Sequence, residues 1–481
     1  MKKLKFLTLI VITILFTSCE DSFLSPDLKT GTSGEAFYSN DEELEAAVIN
    51  IYDGLQGVNA AKITNSNLNH ATQVEFYVTE MRSDNTRSKS QEGEAAQFES
   101  FAIESTNGIV ADYYRSFYDV IFRANIVLDN INAASDAAAG KLEGEAKFLR
   151  AYAYFNLVRL YGDIPLVTNV IAPLDTETAF TRVNSSEIYS LIVSDLQTAV
   201  DNLDDSFKDR ASKAAAQGLL AKVYLTLPTP NYAQAQLLCE EILDPARGFT
   251  LLDNYSDIFF SERNDEIIFA IGYEQGDNNN SQNFSAEWLN SVGRTSGVNY
   301  ATTNVVAALE EMGGDRTQHT YRIDPFQPTE NQAIKYLPNG EDGGDNGRTF
   351  SADAQASGND WIVLRYADVV LLHVEAILGG GESTSNSGAL ASFNAIRERA
   401  GLNDDEDGVI TKEELLNERR VELAFENKRL FDLIRMGEAT NVLSAFATEN
   451  GYSFSSTDLL LPIPQREIGL SKGVLTQNPG Y

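Results

Sequence analysis

The chain has 481 residues, 43% of them hydrophobic, which is enough to bury the core of one large domain or of two to three smaller ones. Its 70 acidic and 37 basic residues give a formal net charge of −33, which excludes a surface that neutralises nucleic-acid phosphates. With only two cysteines, Cys19 and Cys239, neither a disulfide framework nor a cysteine-based metal site is expected.

The N-terminus carries the pattern of a secretory signal. Three early lysines are followed by an apolar run over residues 6–16, which is shorter than the roughly 20 residues that span a bilayer. The run leads into Cys19 and resembles the lipobox of bacterial lipoproteins. The resemblance implies cleavage of residues 1–18 and acylation of Cys19, so that lipid alone would hold the protein at a membrane. An ordinary signal peptide with a chance cysteine is the alternative.

Residues 19–40 predict a tether, because they are rich in Ser, Thr, Gly and Asp and lack periodicity. An N-terminal helical part is then predicted over residues 41–250, with clear helical spacing over 112–131 and 143–161. The second of these helices is apolar on two sides, which predicts that it packs between other helices.

Residues 214–247 match the 34-residue tetratricopeptide repeat, a pair of antiparallel helices that pack closely through small residues. The matching positions are Leu220, Ala221, Tyr224, Ala233, Leu237 and Pro245. Gln217 departs from the pattern, which has tryptophan there. A generic helical hairpin is the alternative.

Residues 251–360 predict a loop-rich region, because Asn, Gly, Ser and Asp crowd together and helical spacing disappears. Residues 266–271 are the clearest strand candidate within it. Loops laid over a rigid frame are where binding residues tend to lie. In the C-terminal part, 361–481, helices are predicted over 361–377, 389–400 and 412–436, followed by an extended tail over 459–481.

The C-terminal part contains several long motifs in a fixed order. They are Leu364–Val369, Phe393–Leu402, Glu418–Glu426, Arg429–Arg435, Leu461–Ile468 and Thr476–Tyr481. Together with the lipobox, the repeat and the segment that ends in Tyr161–Pro165, they closely resemble the SusD/RagB family of surface nutrient-binding lipoproteins. The resemblance covers nearly the whole chain.

The resemblance implies a mostly α fold, in which a tetratricopeptide-like helical frame carries a loop-rich ligand-binding region. It implies a lipid-anchored protein on the extracellular side of the outer membrane, next to a SusC-like TonB-dependent transporter. Such proteins capture oligosaccharide, or peptide in some branches, and are not enzymes. No cofactor is required. The pair Glu20-Asp21 resembles a surface-export signal.

Two other functions compete with nutrient capture. A helical-repeat scaffold lipoprotein would hold partner proteins and bind no nutrient. An extracellular hydrolase is disfavoured, because no nucleophile or carboxylate pair stands in a recognisable catalytic motif.

Candidate ligand-binding residues follow from the way proteins hold sugars, with flat aromatic rings against C–H faces and polar groups on the hydroxyls. Trp288 is the strongest stacking candidate, with Tyr273 and Tyr300 near it in sequence. The family resemblance adds, by position, a second group of candidates from a polar and aperiodic segment. These are Arg82, Asp84 and Asn85.

Charged residues interleaved with apolar ones in the C-terminal part predict a partly buried ion network that fixes helix orientation. The members of this predicted network are Arg365, Arg419, Arg420 and Glu422.

Residues 403–414 fit the twelve-residue calcium loop of an EF-hand, with Gly408 at the sharp turn and Ile410 facing the core. The predicted ligands are Asn403, Asp405, Asp407, Val409, Thr411 and Glu414. Asn403 stands where aspartate is preferred, which should weaken binding. The alternative is an acidic connector in which Thr411 and Glu414 form a capping box for the next helix.

Overall fold

The structure is a computed structural model, and it describes residues 38–63, 69–89, 92–172, 175–206, 209–288, 299–324, 328–337, 355–405 and 407–481. The signal sequence, Cys19 and the predicted tether up to residue 37 lie outside the described residues. The prediction of a mostly α fold is confirmed. Within the described ranges, every helix is too short or too polar to cross a bilayer.

The nineteen α-helices of the described residues fall into an N-terminal group and a later group. The first group is α1 (Asp41–Gln56), α2 (Glu75–Val78), α3 (Ala96–Glu99), α4 (Gly108–Asp129), α5 (Ala139–Tyr161), α6 (Thr176–Phe180), α7 (Ser185–Asn202), α8 (Lys213–Thr226) and α9 (Tyr232–Leu243). The second group is α10 (Asp257–Phe260), α11 (Phe284–Glu287), α12 (Thr303–Met312), α13 (Thr317–Thr320), α14 (Tyr366–Leu378), α15 (Ser387–Arg399), α16 (Lys412–Glu422), α17 (Arg429–Arg435), α18 (Ala439–Glu449) and α19 (Gln465–Leu470).

The strands are short. They are β1 (Thr86–Ser88), β2 (Ile164–Pro165), β3 (Arg182–Val183), β4 (Ile267–Ile271), β5 (Asn299–Ala301), β6 (Tyr321–Ile323), β7 (Asn331–Ala333), β8 (Trp361–Arg365), β9 (Ser383–Thr384) and β10 (Ile410–Thr411). One antiparallel sheet has the order β1-β5-β7-β6, and the other strands pair as β4-β8, β2-β3 and β9-β10.

The frame consists of four helix pairs that pack in chain order, α1 with α4, α5 with α7, α8 with α9, and α14 with α15. Further contacts of α4 with α5, α7 with α8, and α9 with α14 join the pairs into one stack. Gly144 lets α5 approach the residue after α7, since a Cβ atom there would meet Leu203 at 3.0 Å. Gly218 lets α8 approach β8, since a Cβ atom there would meet Leu364 at 2.5 Å. As predicted, α5 is buried on most of its circumference.

The predicted repeat over residues 214–247 is a helical hairpin of α8 and α9, but its second helix has a different inward face. Leu237 is 47% exposed, whereas Ala235 and Cys239 are fully buried. The predicted register was therefore wrong, because α9 must present one stripe to both α8 and α14. Cys239 is buried and unpaired, and burial raises the pKa of its thiol.

Two predicted C-terminal helices were wrong in part. Residues 361–365 form strand β8, because this apolar run pairs with the predicted strand β4 and is buried throughout.

The predicted helix 412–436 is two helices, α16 and α17. Between them Phe425 and Asn427 take positive φ angles of 65° and 57°, which α-helices do not allow. In addition, α12 lies within the predicted loop-rich region, and α19 interrupts the predicted extended tail.

The predicted ion network is confirmed and lies in the core. Arg365, 1% exposed, contacts Glu266 at 2.7 Å, Glu422 at 2.5 Å and Glu426 at 2.9 Å. These bonds join β8, the residue before β4, and the end of α16. Because buried charges are costly unless paired and hydrogen-bonded, the network fixes the relative position of these elements.

A second part of the network joins α14, α16 and α17. Arg419 contacts Asp368 and Asp432, each at 2.9 Å, and Arg420 contacts Asp84 at 2.9 Å. The last contact reaches the segment that leads into β1. The helical frame thus positions the sheet that carries the candidate site.

Candidate functional site

A polar row crosses one face of the β1-β5-β7-β6 sheet. Arg87 on β1 lies directly opposite Tyr300 on β5, and Arg322 on β6 lies opposite Gln332 on β7. Ala301 pairs with Asn331 in the antiparallel β5-β7 ladder. Tyr300 and Gln332, the next residues in this register, therefore lie opposite each other on one face of the sheet. We call Arg87, Tyr300, Gln332 and Arg322 the sheet row.

The contacts within the sheet row hold its long side chains in place. The Arg322 Nε donates to Gln332 Oε1 at 2.7 Å, and the buried Gln332 donates to Asp324 at 3.0 Å. Lys89, after β1, and Glu330, before β7, form an ion pair at 3.2 Å. Because β5 lies between β1 and β7 in the sheet, this ion pair spans β5. A half-buried tyrosine therefore lies among fixed polar groups.

A buried carboxylate, Glu99 on α3, orients one end of the sheet row. It accepts hydrogen bonds from Arg87 Nε at 2.8 Å, from the Ser88 N–H at 2.6 Å and from the Tyr452 hydroxyl at 3.2 Å. Burial raises the pKa of the Tyr300 hydroxyl, while the Arg87 guanidinium opposes the increase. This hydroxyl makes no hydrogen bond within the described part of the chain, so it is available to a ligand.

Of the three predicted aromatic candidates, only Tyr300 presents a partly exposed ring. Trp288 is fully buried, with ring centroids of Phe76 at 5.7 Å, Phe425 at 5.6 Å and Tyr336 at 6.2 Å. This position does not support a stacking role, since a sugar needs an exposed ring face. Tyr273 is 8% exposed and lies at the end of β4, so the structure does not bring the three together.

Arg82, Asp84 and Asn85 are all buried, and their polar groups bind the protein itself. Arg82 donates to the backbone oxygens of Asp458 and Leu459 at 2.7 and 2.9 Å. Their burial and these contacts therefore support a structural role rather than the predicted direct contact with ligand.

Asp84 and Asn85 link this segment to α16 and α17. Asp84 pairs with Arg420 at 2.9 Å and Arg429 at 2.8 Å, and Asn85 Oδ1 accepts from Arg420 Nε at 2.8 Å. Although burial acts to raise it, the two guanidinium groups lower the pKa of Asp84 to about 2. The backbone oxygens of Asp84 and Asn85 accept from Thr302, directly after β5.

The low pKa of Asp84 predicts a loss of stability in acid. Since the folded pKa is below the unfolded value of 3.8, the contribution of about 2 kcal/mol is present above pH 4 and disappears as the pH falls towards 2. Asp84→Asn should be less stable than the wild type at pH 6, with a difference that narrows below pH 4. Urea unfolding at a series of pH values measures this difference, and a constant gap would contradict the assignment.

The acidic groups of the loop predicted to bind calcium accept hydrogen bonds from within the loop itself. The Glu414 carboxylate accepts from the Thr411 N–H and hydroxyl at 2.7 and 2.6 Å, which completes a capping box for α16. Asp405 and Asp407 both accept from the Val409 N–H, at 3.0 and 2.8 Å. These contacts favour the connector alternative.

The remaining predicted ligand does not alter this conclusion. The Asn403 carbonyl accepts from Arg397 at 2.9 Å. Among the described residues, which omit residue 406 of this loop, no three His, Cys, Asp or Glu side chains are grouped to hold a metal ion. The arrangement of the described residues therefore favours the connector alternative over the predicted calcium site.

Comparison with known families decides the classification. Residues 329–481 match the profile described as "SusD family", and residues 38–225 match the profile described as "Starch-binding associating with outer membrane". The chain belongs to the SusD family. The expected family is thereby confirmed, and with it the mostly α SusD-like fold.

Relatives extend over most of the chain. A SusD-like protein of Bacteroides ovatus is 27% identical, with 90% of this chain and 82% of the relative aligned. The starch-binding protein SusD of Bacteroides thetaiotaomicron is 23% identical, over 77% and 78% of the two chains. A solved structure described as a laminarin-binding SusD-like protein is 26% identical, with a TM-score of 0.75, and covers 92% of this chain and 100% of its own.

The sequence did not reveal three residues of this candidate site. Gln332, Arg322 and Tyr452 approach Tyr300 or its partners through strand pairing and through the end of α18. Three-residue strands give no usable alternation, so no sequence signal marked them. Arg87 follows the predicted residues Arg82, Asp84 and Asn85 closely in sequence, but its role depends on the pairing of β1 with β5.

Proposed function

We propose that this protein captures oligosaccharide on the sheet row and does not alter it chemically. The observation that carries the proposal is the partly exposed Tyr300 ring, with a hydroxyl open to a ligand, between the side chains of Arg87 and Gln332. An aromatic face with polar neighbours suits the C–H and O–H surfaces of a sugar. The laminarin-binding and starch-binding names of two relatives support this choice of ligand.

The anchor and the partner belong to the same proposal. Acylation at Cys19 would hold the protein on the outer membrane by lipid, and the outer-membrane association described for its family supports this location. A SusC-like TonB-dependent transporter would receive the captured glycan. The absence of catalysis is proposed because the sheet row holds no nucleophile with an adjacent base.

Tyr300→Ala tests the capture site. We expect at least a tenfold loss of affinity for laminari-oligosaccharides in isothermal titration calorimetry, because the mutation removes the ring face. Tyr300→Phe keeps the ring and should lose less, which separates stacking from the hydroxyl contribution.

Tyr321→Ala is the matched control, since this tyrosine is on the edge strand β6 of the same sheet but outside the sheet row. It should keep wild-type affinity. Equal affinities for wild type and Tyr300→Ala would contradict the proposed site, and lack of binding by the wild type to every glycan would contradict the proposed function.

A further inference from the structure

Two adjoining cavities of about 370 and 350 Å³ lie where β4 ends and β8 begins. Both are lined by the same five residues, Glu262, Ile267, Tyr273, Glu274 and Asp360. We call the combined cavity the trough. It shares no lining residue with the sheet row and is built on a different pair of strands.

The floor of the trough is apolar and firmly held. Ile258 and Ile267 are buried, and Phe259 and Phe260 are half-buried beside them. Tyr273 is fixed at both ends. Its hydroxyl donates to the Gln56 carbonyl at 3.0 Å, and its N–H donates to Asp360 Oδ1 at 3.0 Å.

The rim of the trough is polar and has unused hydrogen-bonding capacity. The exposed carboxylates of Glu262 and Glu274 form no ion pair or side-chain hydrogen bond within the described residues. Among the described residues, Asp360 accepts a hydrogen bond through Oδ1 alone, and Arg263 pairs with Asp209 at 2.6 Å. The rim therefore offers mainly acceptors.

This combination indicates the chemistry of the occupant. No three acidic side chains of the described residues are placed to hold a metal ion, and the cavity is far wider than a metal site requires. Its volume lies in the range of small-molecule sites, in which apolar walls carry a few polar groups that fix orientation. Carboxylates accept hydrogen bonds from sugar hydroxyls, but they repel carboxylate and sulfate groups.

We propose that the trough is a second saccharide site, selective for neutral sugar units. This inference rests on the proposed glycan capture and adds a second position at which the protein binds glycan. Tyr273 and the two phenylalanines form the floor, and Glu262, Glu274 and Asp360 accept from the hydroxyls. Burial raises the pKa of Asp360 to about 6, with Glu262 and Asp209 adding to the increase, in accord with an acidic rim.

Gly272 provides a way to fill the trough without changing the fold. It is exposed and lines the trough, and a Cβ atom there would meet only Asp360 Oδ1, at an ordinary 3.6 Å. Gly272→Phe should therefore place a ring inside the trough. Gly469→Phe is the matched control, since that glycine is also exposed and has open space around it.

The test is isothermal titration calorimetry of the mature chain with laminarihexaose. All variants carry Tyr300→Ala, which removes the aromatic ring of the sheet row. We expect Tyr300→Ala to retain measurable affinity for laminarihexaose. Adding Gly272→Phe should lower this remaining affinity at least tenfold, whereas adding Gly469→Phe should leave it unchanged. Oligogalacturonate of the same length should not bind to the trough. The triple change Glu262→Gln, Glu274→Gln and Asp360→Asn should weaken this discrimination.

Other results would overturn the proposal. If Tyr300→Ala alone abolishes binding of laminarihexaose, the sheet row is sufficient and the trough is not a site, while the proposed function stands. If Gly272→Phe and Gly469→Phe behave alike, or if oligogalacturonate binds as well as the neutral sugar, the trough assignment is wrong. If the wild type binds no glycan, both proposals fail.

Discussion

Glu422→Gln is expected to lower the free energy of unfolding by about 3–5 kcal/mol, the cost of removing one partner from a buried ion pair. Glu422 is fully buried and contacts three guanidinium groups, those of Arg316 at 2.8 Å, Arg365 at 2.5 Å and Arg399. The substitution keeps the volume and removes the charge. It leaves excess positive charge in the core, where water cannot compensate it.

The measurement is the urea midpoint and slope at pH 7, with Glu438→Gln as the control. Glu438 pairs with Lys412 at 3.0 Å, but the two side chains are 28% and 25% exposed, and such surface pairs contribute about 0–1 kcal/mol. A Glu422→Gln midpoint close to that of Glu438→Gln would show that the network does not stabilise the fold.

This network also shows what sequence reasoning predicted well. Its members are interleaved with apolar residues in the sequence, so Arg365, Arg419, Arg420 and Glu422 could be assigned to a partly buried network before any contact was known. Their partners could not all be found. Glu266 and Asp84 are distant in sequence, and only the packing of β4 and of the segment before β1 brings them close.

Helix α4 was predicted because its apolar periodicity is strong over many turns, and α5 because apolar residues follow helical spacing on two sides. The errors have local physical causes. The buried run at 361–365 has no periodicity that separates strand from helix, and the positive φ angles at Phe425 and Asn427 leave no clear mark in the sequence.

The candidate site was predictable only in part, because exposure is not visible in a sequence. Trp288 and Tyr300 come from the same aromatic-bearing region, yet one is buried and the other is partly exposed. The decisive difference is tertiary. Trp288 ends a short helix that packs onto Phe76 and Phe425, whereas Tyr300 lies on a sheet face opposite Arg87.

Trp288→Ala is expected to cost about 3–5 kcal/mol of unfolding free energy, as for other large aromatic residues deleted from cores. The indole packs among three aromatic rings and is fully buried, so its removal leaves a cavity that the surrounding rings cannot close completely. Its Nε1 has no hydrogen-bond partner among the described residues, so Trp288→Phe removes an unsatisfied donor together with part of the volume and should cost less.

Binding and stability together decide the role of Trp288. If it is a core residue, Trp288→Phe should keep glycan affinity within twofold of the wild type while its urea midpoint falls, and Tyr300→Ala should show the reverse pattern. A ligand-stacking role would give the opposite result for Trp288, with a tenfold loss of affinity at unchanged stability. The buried environment argues for the first outcome, because a ring whose faces already contact Phe76, Tyr336 and Phe425 has no face left for a sugar.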